Sequence, residues 1–349
     1  MNKDLLDLLA CPECGSADLV LEPSSNNFPV AQGTLSCSSC ATQYSILKGI
    51  PQMLPSRLGA TLQLKNAYLE RLRASMLQGK GKPPEPSNLE IDRFMWEQQL
   101  YAWAKEVIYK DSRAAEIFSS YSEEGARSLC QFIRDQAEGV YGKSLLYVGS
   151  GNDRLVTLPL EQEGGFIVNL DIASEPLEHL REAGAKSCVC GDARKLPFQA
   201  ETFDVVFSKG SIHHSHPIAE PLGAMARVLK RGGHIVVAEP SKYMLSRLPS
   251  FLFPPKLTKA IGASSKALWP KGEKSGLGYP TPYEDAISAR EVIGILGKEG
   301  ISQFQIASLT HAPPGTPTPI AHLWERLGNA MPWLFDRFAF EFMVYGRKI

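Results

Sequence analysis

The stretch Leu145-Leu146-Tyr147-Val148-Gly149-Ser150-Gly151-Asn152-Asp153-Arg154 decides the fold. An apolar run of strand length passes straight into two glycines one residue apart. Glycines there permit positive φ and let a ligand approach the backbone where a strand turns into a helix. Outward from this turn the chain alternates short apolar runs, FIVNLDI, SCVCGD, FDVVFS and HIVVAEP, with segments of helical spacing. Runs that are apolar almost throughout belong to a parallel sheet covered on both faces, so the pattern predicts an α/β, doubly wound, Rossmann-like fold. The segment PIAEPLGAMARVLKRGG reads as a helix ended by its paired glycines. After Pro240 the rhythm breaks, then resumes as a helix near 284–299, a strand near 301–309 and a final strand in FAFEFMVYG.

At the other end of the chain, Cys11-Pro-Glu-Cys14 and Cys37-Ser-Ser-Cys40 form two matched pairs. Each pair lets one tight turn present two thiolates to a tetrahedral ion, and zinc is the preferred metal for four sulfurs. A core this short could hardly fold on hydrophobic burial alone, so residues 1–56 are expected to be a zinc-ribbon domain stabilised by its metal. Cys188 and Cys190 lie two apart on a strand, hence on one face, and read as core residues, not ligands. Residues 57–121 read as a helical linker and cover region, interrupted by GKGKPPEPSN, whose Gly and Pro content cannot sustain regular structure. In it Phe94, Trp96, Tyr101 and Trp103 read as the buried face of a helix, or as a cover over a ligand.

Thirty-seven Lys and Arg balance thirty-seven Asp and Glu among 349 residues, so the chain lacks the cationic excess of a protein that coats nucleic acid by charge alone. No run of apolar residues approaches a membrane span. Seven cysteines, four of them in Cys-x-x-Cys pairs, indicate metal chemistry in a reducing compartment, and a cytoplasmic location is expected.

Three blocks follow the glycine turn in order: Asp171 ending FIVNLDI, then GDARKLPFQAETFDVVFS over 191–208, then RVLKRGGHIVVAEP over 227–240. A carboxylate at the end of the second strand can accept the hydroxyls of a ribose. This ordered set resembles the class I S-adenosylmethionine-dependent methyltransferases, in particular the small-molecule group that includes ubiquinone and menaquinone methyltransferases. The resemblance implies a methyltransferase domain over 122–349 with a mostly parallel seven-stranded sheet and an antiparallel edge strand. It implies S-adenosylmethionine as cofactor, with Gly149 and Gly151 lining its amino-acid part and Asp171 holding the ribose. Asp192 and the backbone of Ala193 would read the adenine, and Ser208 would border the methyl group. The ribbon, with its LLACPECG, Tyr44-Ser45-Ile46 and GIPQMLP, resembles the small ribbon family that activates RNA and protein methyltransferases as a separate subunit.

Two departures from the first family stand out. Tyr147 replaces the acid usual two residues before the first glycine, which removes an anchor for the cofactor's amino group, and Asp153 replaces a common third glycine. Asp153 reads either as a helix cap or as a carboxylate that repels the cofactor's own, with Lys209 available to compensate. A degenerate, non-catalytic binding protein on this fold is therefore a second reading. A nicotinamide dehydrogenase would need a third glycine where this chain has Arg154.

A hydroxyl acceptor requires a base. In SKGSIHHSHP, His213, His214 and His216 follow the fourth strand beside the crevice where such folds bind ligands. His214 occupies the position most often histidine in the family, and His213 and His214 are the candidate catalytic residues. Residues 241–283 form an inserted lid with Lys242, Arg247, Lys256, Lys259, Lys266, Lys271 and Lys274 against Glu273, interleaved with aromatics. Such a lid suits an anionic or amphiphilic small molecule, a membrane surface or a single-stranded nucleic acid. The ribbon sets only Lys3 and Lys48 against Asp4, Asp7, Glu13, Asp18 and Glu22, which disfavours RNA and favours a small-molecule acceptor. An RNA or protein methyltransferase that docks through its ribbon stands as the alternative.

Overall fold

The computed structural model describes residues 1–22, 28–61, 94, 112–215, 217–241, 287–310, 323, 326–328, 330–331, 339 and 341–349. Trp96, Tyr101, Trp103, His216 and, beyond Ser241, the inserted lid lie outside the described residues.

The glycine turn follows β5 (Ser144–Val148), which sits in the middle of a parallel set with β6 (Phe166–Asp171), β7 (Ser187–Gly191), β8 (Phe203–Lys209) and β9 (Leu229–Pro240). The order across the sheet is β7-β6-β5-β8-β9-β11-β10, where β10 is Ile301–Thr310 and β11 is Glu341–Lys348. The sequence reverses direction across the sheet at the β5/β8 seam. β11 runs antiparallel to both β9 and β10. The antiparallel strand thus lies one place in from the edge, and β10 forms the edge.

Period-two alternation sends the side chains of β5 to two separate cores. Leu145 and Tyr147 pack with Ala126, Leu129, Cys130 and Ile133 of the helix Ser112–Gln136 and with Val156 and Leu160 of the helix Arg154–Gln162. Leu146 and Val148 face Leu222 and Met225 of the helix Ala219–Val228 and Val292 and Leu296 of the helix Ala289–Lys298. Counting Lys3–Leu6 as α1, Ser56–Thr61 as α2 and Ser174–Glu182 as α5, these four helices are α3, α4, α6 and α7. The start of α7 is fixed by a capping box between Ser288 and Glu291.

One sequence expectation changes. The paired glycines do not end α6, which stops at Val228 before β9 begins at Leu229. Gly232 and Gly233 lie inside β9, at a register shift opposite Phe203 and Val205. Gly232 has φ +77, and a Cβ on Gly233 would come within 2.9 Å of the Asp204 and Lys230 carbonyl oxygens. The glycines serve a bulge, which needs the same backbone freedom as a helix end.

The ribbon strands β1 (Leu19–Glu22), β2 (Gly33–Cys37), β3 (Gln43–Leu47) and β4 (Ile50–Met53) form an antiparallel meander whose last strand continues into the large sheet. β4 pairs in parallel with β7, Gln52 opposite Cys190 and Met53 opposite Gly191. Further joints reinforce this seam: the Ala10 amide donates to the Pro197 carbonyl at 2.9 Å, and the Gln199 amide to that of Leu8 at 3.1 Å. Leu5, Leu9, Leu35 and Ile46 of the ribbon share one apolar cluster with Phe198 and Phe203. On the opposite side of the seam Phe94 is buried with Ile50, Leu54, Leu58, Leu177, Cys188 and Cys190. Among the described residues no helix is long and apolar enough to cross a membrane.

Candidate active site and metal centre

The crevice lies at the carboxyl ends of the parallel strands, around the β5/β8 seam, where open α/β sheets bind their ligands. Gly149 opens it with φ +67, and a Cβ there would fall 2.1 Å from the Ser211 Oγ. Only glycine satisfies both demands. Gly151 also has positive φ, +51, but a Cβ there would meet nothing within 4 Å, so its outer side is open. Between them the Ser150 Oγ is buried without a hydrogen-bond partner among the described residues.

Asp171 ties this turn to β6. Its carboxylate accepts the Gly151 amide at 2.8 Å and the Ala173 amide at 2.9 Å. An ionised carboxylate accepts about four hydrogen bonds, so these two amides do not by themselves exhaust it. Asp192 at the end of β7 is buried and held by Arg194, whose backbone amide donates at 2.9 Å and whose guanidinium Nη2 donates at 2.6 Å. Ala193 opens the short 3-10 turn that Asp192 caps. Ser208 is wholly buried, and its hydroxyl lies 2.9 Å from that of Ser211, so its side chain shapes the loop below Gly149.

The histidine segment is built around Glu239, which sequence reading placed in a strand motif but gave no task. Its side chain is fully buried at the end of β9. One oxygen accepts the amides of Ser211 at 3.1 Å and Ile212 at 2.8 Å, and the other lies 2.6 Å from the His213 Nδ1. With Glu239 ionised, that nitrogen carries the proton and Nε2 becomes the basic atom of the neutral ring. His214 is half-buried, with its ring centroid 4.0 Å from that of His213. The structure therefore brings both candidate histidines together and gives His213 an orienting carboxylate.

The two departures in the glycine turn are also joined. Asp153 occupies the N-cap position of α4, yet its side chain makes no capping bond, contrary to the cap reading. Instead the Tyr147 hydroxyl donates to its Oδ2 at 2.9 Å, and the Lys209 Nζ lies 3.6 Å from the same oxygen. Tyr147 is buried and stacked on Phe207 with centroids 4.5 Å apart. Burial, then the neighbouring Asp153 charge, holds its phenol proton far above the usual range, so it acts as a fixed donor.

In the ribbon, the Sγ atoms of Cys11, Cys14, Cys37 and Cys40 all lie within 4.8 Å of one another, with Cys11–Cys40 and Cys14–Cys37 at 3.6 Å. Tetrahedral Zn–S bonds of about 2.3 Å place sulfurs about 3.8 Å apart, so the set fits a closed structural zinc site. Four thiolates this close would repel one another strongly without a cation between them.

The crevice lies where Rossmann-like α/β sheets open at the carboxyl ends of their strands, with the glycine turn at its mouth. Residues 146–237 match the methyltransferase domain family. The ubiquinone biosynthesis O-methyltransferase of Vibrio campbellii is 25% identical over 191 residues, covering 52% of this chain and 73% of that protein. A biotin biosynthesis bifunctional protein of Cellvibrio japonicus is 34% identical over 96 residues, 27% of this chain and 19% of that one. Among solved structures, the magnesium protoporphyrin IX methyltransferase of Synechocystis PCC 6803 covers 74% of this chain and 99% of its own, at 14% identity and a TM-score of 0.46.

Proposed function

We propose that the protein transfers a methyl group from S-adenosylmethionine to a hydroxyl of a small anionic or amphiphilic molecule. The observation that carries this reading is the buried Glu239–His213 pair, 2.6 Å apart at the crevice of a methyltransferase fold. The likeness to an O-methyltransferase of ubiquinone biosynthesis supports a hydroxyl acceptor. When bound, the cofactor supplies a sulfonium methyl that is already electrophilic. The chain's task is to hold the acceptor in line, exclude water and take the hydroxyl proton. Positioning of this kind supplies roughly 7–11 kcal/mol in favourable cases.

In this scheme Gly149 and Gly151 let the cofactor reach the backbone, and Asp171 receives its ribose hydroxyls. Asp192, held by Arg194, fixes the turn from which the Ala193 backbone meets the adenine. The Nε2 of His213 withdraws the proton from the acceptor, and Glu239 keeps the ring oriented and offsets its charge once protonated. His214 lines the acceptor side. The zinc of Cys11, Cys14, Cys37 and Cys40 is structural and takes no part in the chemistry.

The test is methyl transfer from radiolabelled S-adenosylmethionine into fractions of polyprenyl phenols, lipids, RNA and protein. Label is expected in the phenolic fraction, and a His213→Asn variant should retain cofactor binding while losing turnover. Label in RNA or protein would replace this acceptor with the ribbon-docked alternative. Absence of cofactor binding at millimolar concentration would leave a non-catalytic fold.

A further inference from the structure

We propose that Asp153 and Lys209 together receive the zwitterionic amino-acid end of S-adenosylmethionine, with Tyr147 holding the carboxylate in place. The inference rests on the methyltransferase reading and deepens it. It assigns the cofactor's amino group to a side chain at the head of α4, in a chain whose strand position 147 carries no acid.

The two charges flank the glycine turn. Asp153 follows Gly151 by two residues, and Lys209 ends β8, the strand beside β5. Their side chains are only 18% and 13% exposed, so solvent screens their charges weakly. Their separation of 3.6 Å exceeds the roughly 2.7–2.9 Å of a charge-assisted hydrogen bond. A carboxylate is purely an acceptor and a lysine purely a donor. An α-ammonium and an α-carboxylate present the opposite set, so each end of the zwitterion has one partner here.

Two features show that this placement is specific. Asp153 stands where a carboxylate ordinarily caps its helix, yet its oxygen turns to the Tyr147 hydroxyl. The Ser150 hydroxyl, buried without a partner in the same turn, is a further polar group suited to a ligand.

The experiment titrates wild-type protein, Asp153→Asn, Lys209→Met and Tyr147→Phe by calorimetry with two ligands, and melts each variant. The ligands are S-adenosylhomocysteine and 5′-methylthioadenosine, which keeps adenine, ribose and sulfur but has no amino-acid end. Asp153→Asn and Lys209→Met should each weaken S-adenosylhomocysteine at least about tenfold, as expected for losing a hydrogen bond to a charged group, and leave methylthioadenosine unchanged. Tyr147→Phe, the positioning residue, should show a smaller loss with the same selectivity. Unchanged affinity for both ligands, or parallel loss of both, would overturn the receptor and make the pair a fastening of the fold. A wild type that binds methylthioadenosine as tightly as S-adenosylhomocysteine would overturn it as well. A wild type that binds neither ligand would overturn the methyltransferase reading itself.

Discussion

Stripping the metal from the ribbon should loosen the methyltransferase sheet, because the two share a strand seam. Structural zinc contributes about 10–16 kcal/mol of apparent binding energy in small modules, comparable with or above the about 5–15 kcal/mol by which a domain is stable. Loss of the metal therefore releases β1 to β4. The sheet then loses the β4 pairing along β7 and the cover given by Ile50 and Met53, both 0% exposed. Uncovering two such side chains costs about 1.5–3 kcal/mol each, or about 3–6 kcal/mol together. At about 2–4 °C per kcal/mol for a domain of 150–250 residues, the methyltransferase transition should fall by about 6–24 °C.

Calorimetry of the metal-loaded protein, the chelated protein and Cys37→Ser, each with its zinc content measured, would read this shift. Cys14 and Cys40 are exposed, so a chelator has access to the site. Cofactor affinity should fall with it, since Asp192 directly follows the Gly191 that pairs with Met53. If the zinc leaves and the main transition stays where it was, the ribbon is an independent appendage and the shared-seam argument fails.

His213→Asn should lower turnover by about 10²- to 10⁴-fold with little change in cofactor affinity, the range for losing a general base, whereas His214→Ala should chiefly raise the acceptor's Michaelis constant. Steady-state kinetics with a phenolic acceptor decides between them, and equal effects of both would remove the distinction. Gly151→Ala should cost about 1–2 kcal/mol for its left-handed backbone alone, and Gly149→Ala clearly more, because its Cβ also strikes Ser211; urea unfolding compares them. Burial raises the Glu161 carboxyl above its ordinary value against the opposing pull of the Lys186 amide. The folded protein thus holds that proton to higher pH than the unfolded chain, and stability falls as pH climbs from the ordinary carboxylate range through the raised value. Glu161→Gln should therefore stabilise the protein at about pH 7 and do little at about pH 4, as measured by unfolding at both.

The parts legible in the sequence are those where a local rule and the tertiary environment ask for the same residues. Burial on both faces forces LLYV, FIVNL and FDVVF to be apolar almost throughout, and the cysteine spacing is the one a tetrahedral ion would require. Other features depend on partners far along the chain. His213 is distinguished from His214 only by Glu239, 26 residues on and otherwise an ordinary strand end. The β4–β7 seam joins residues that no periodicity relates, so the end of the ribbon reads as a boundary when it is a strand of the larger sheet. Gly232 and Gly233 were legible as a backbone irregularity but not as which one, because a helix end and a bulge draw on the same freedom of φ.

Position 147 is too deeply buried to hold a charge cheaply. An acid there would sit on a strand side chain that is 1% exposed, where an ionised carboxylate requires close partners to offset its lost hydration. Tyrosine fills the same buried site with a ring stacked on Phe207 and reaches out with a neutral donor. The charge then resides on Asp153, six residues later and more exposed, at the amino-terminal end of α4, where the helix dipole favours an anion. Read singly, Tyr147 is a lost anchor and Asp153 an intruding charge. Their 2.9 Å hydrogen bond makes them one unit, in which a tyrosine on the buried strand fixes a carboxylate beside the glycine turn with a cation, Lys209, 3.6 Å away.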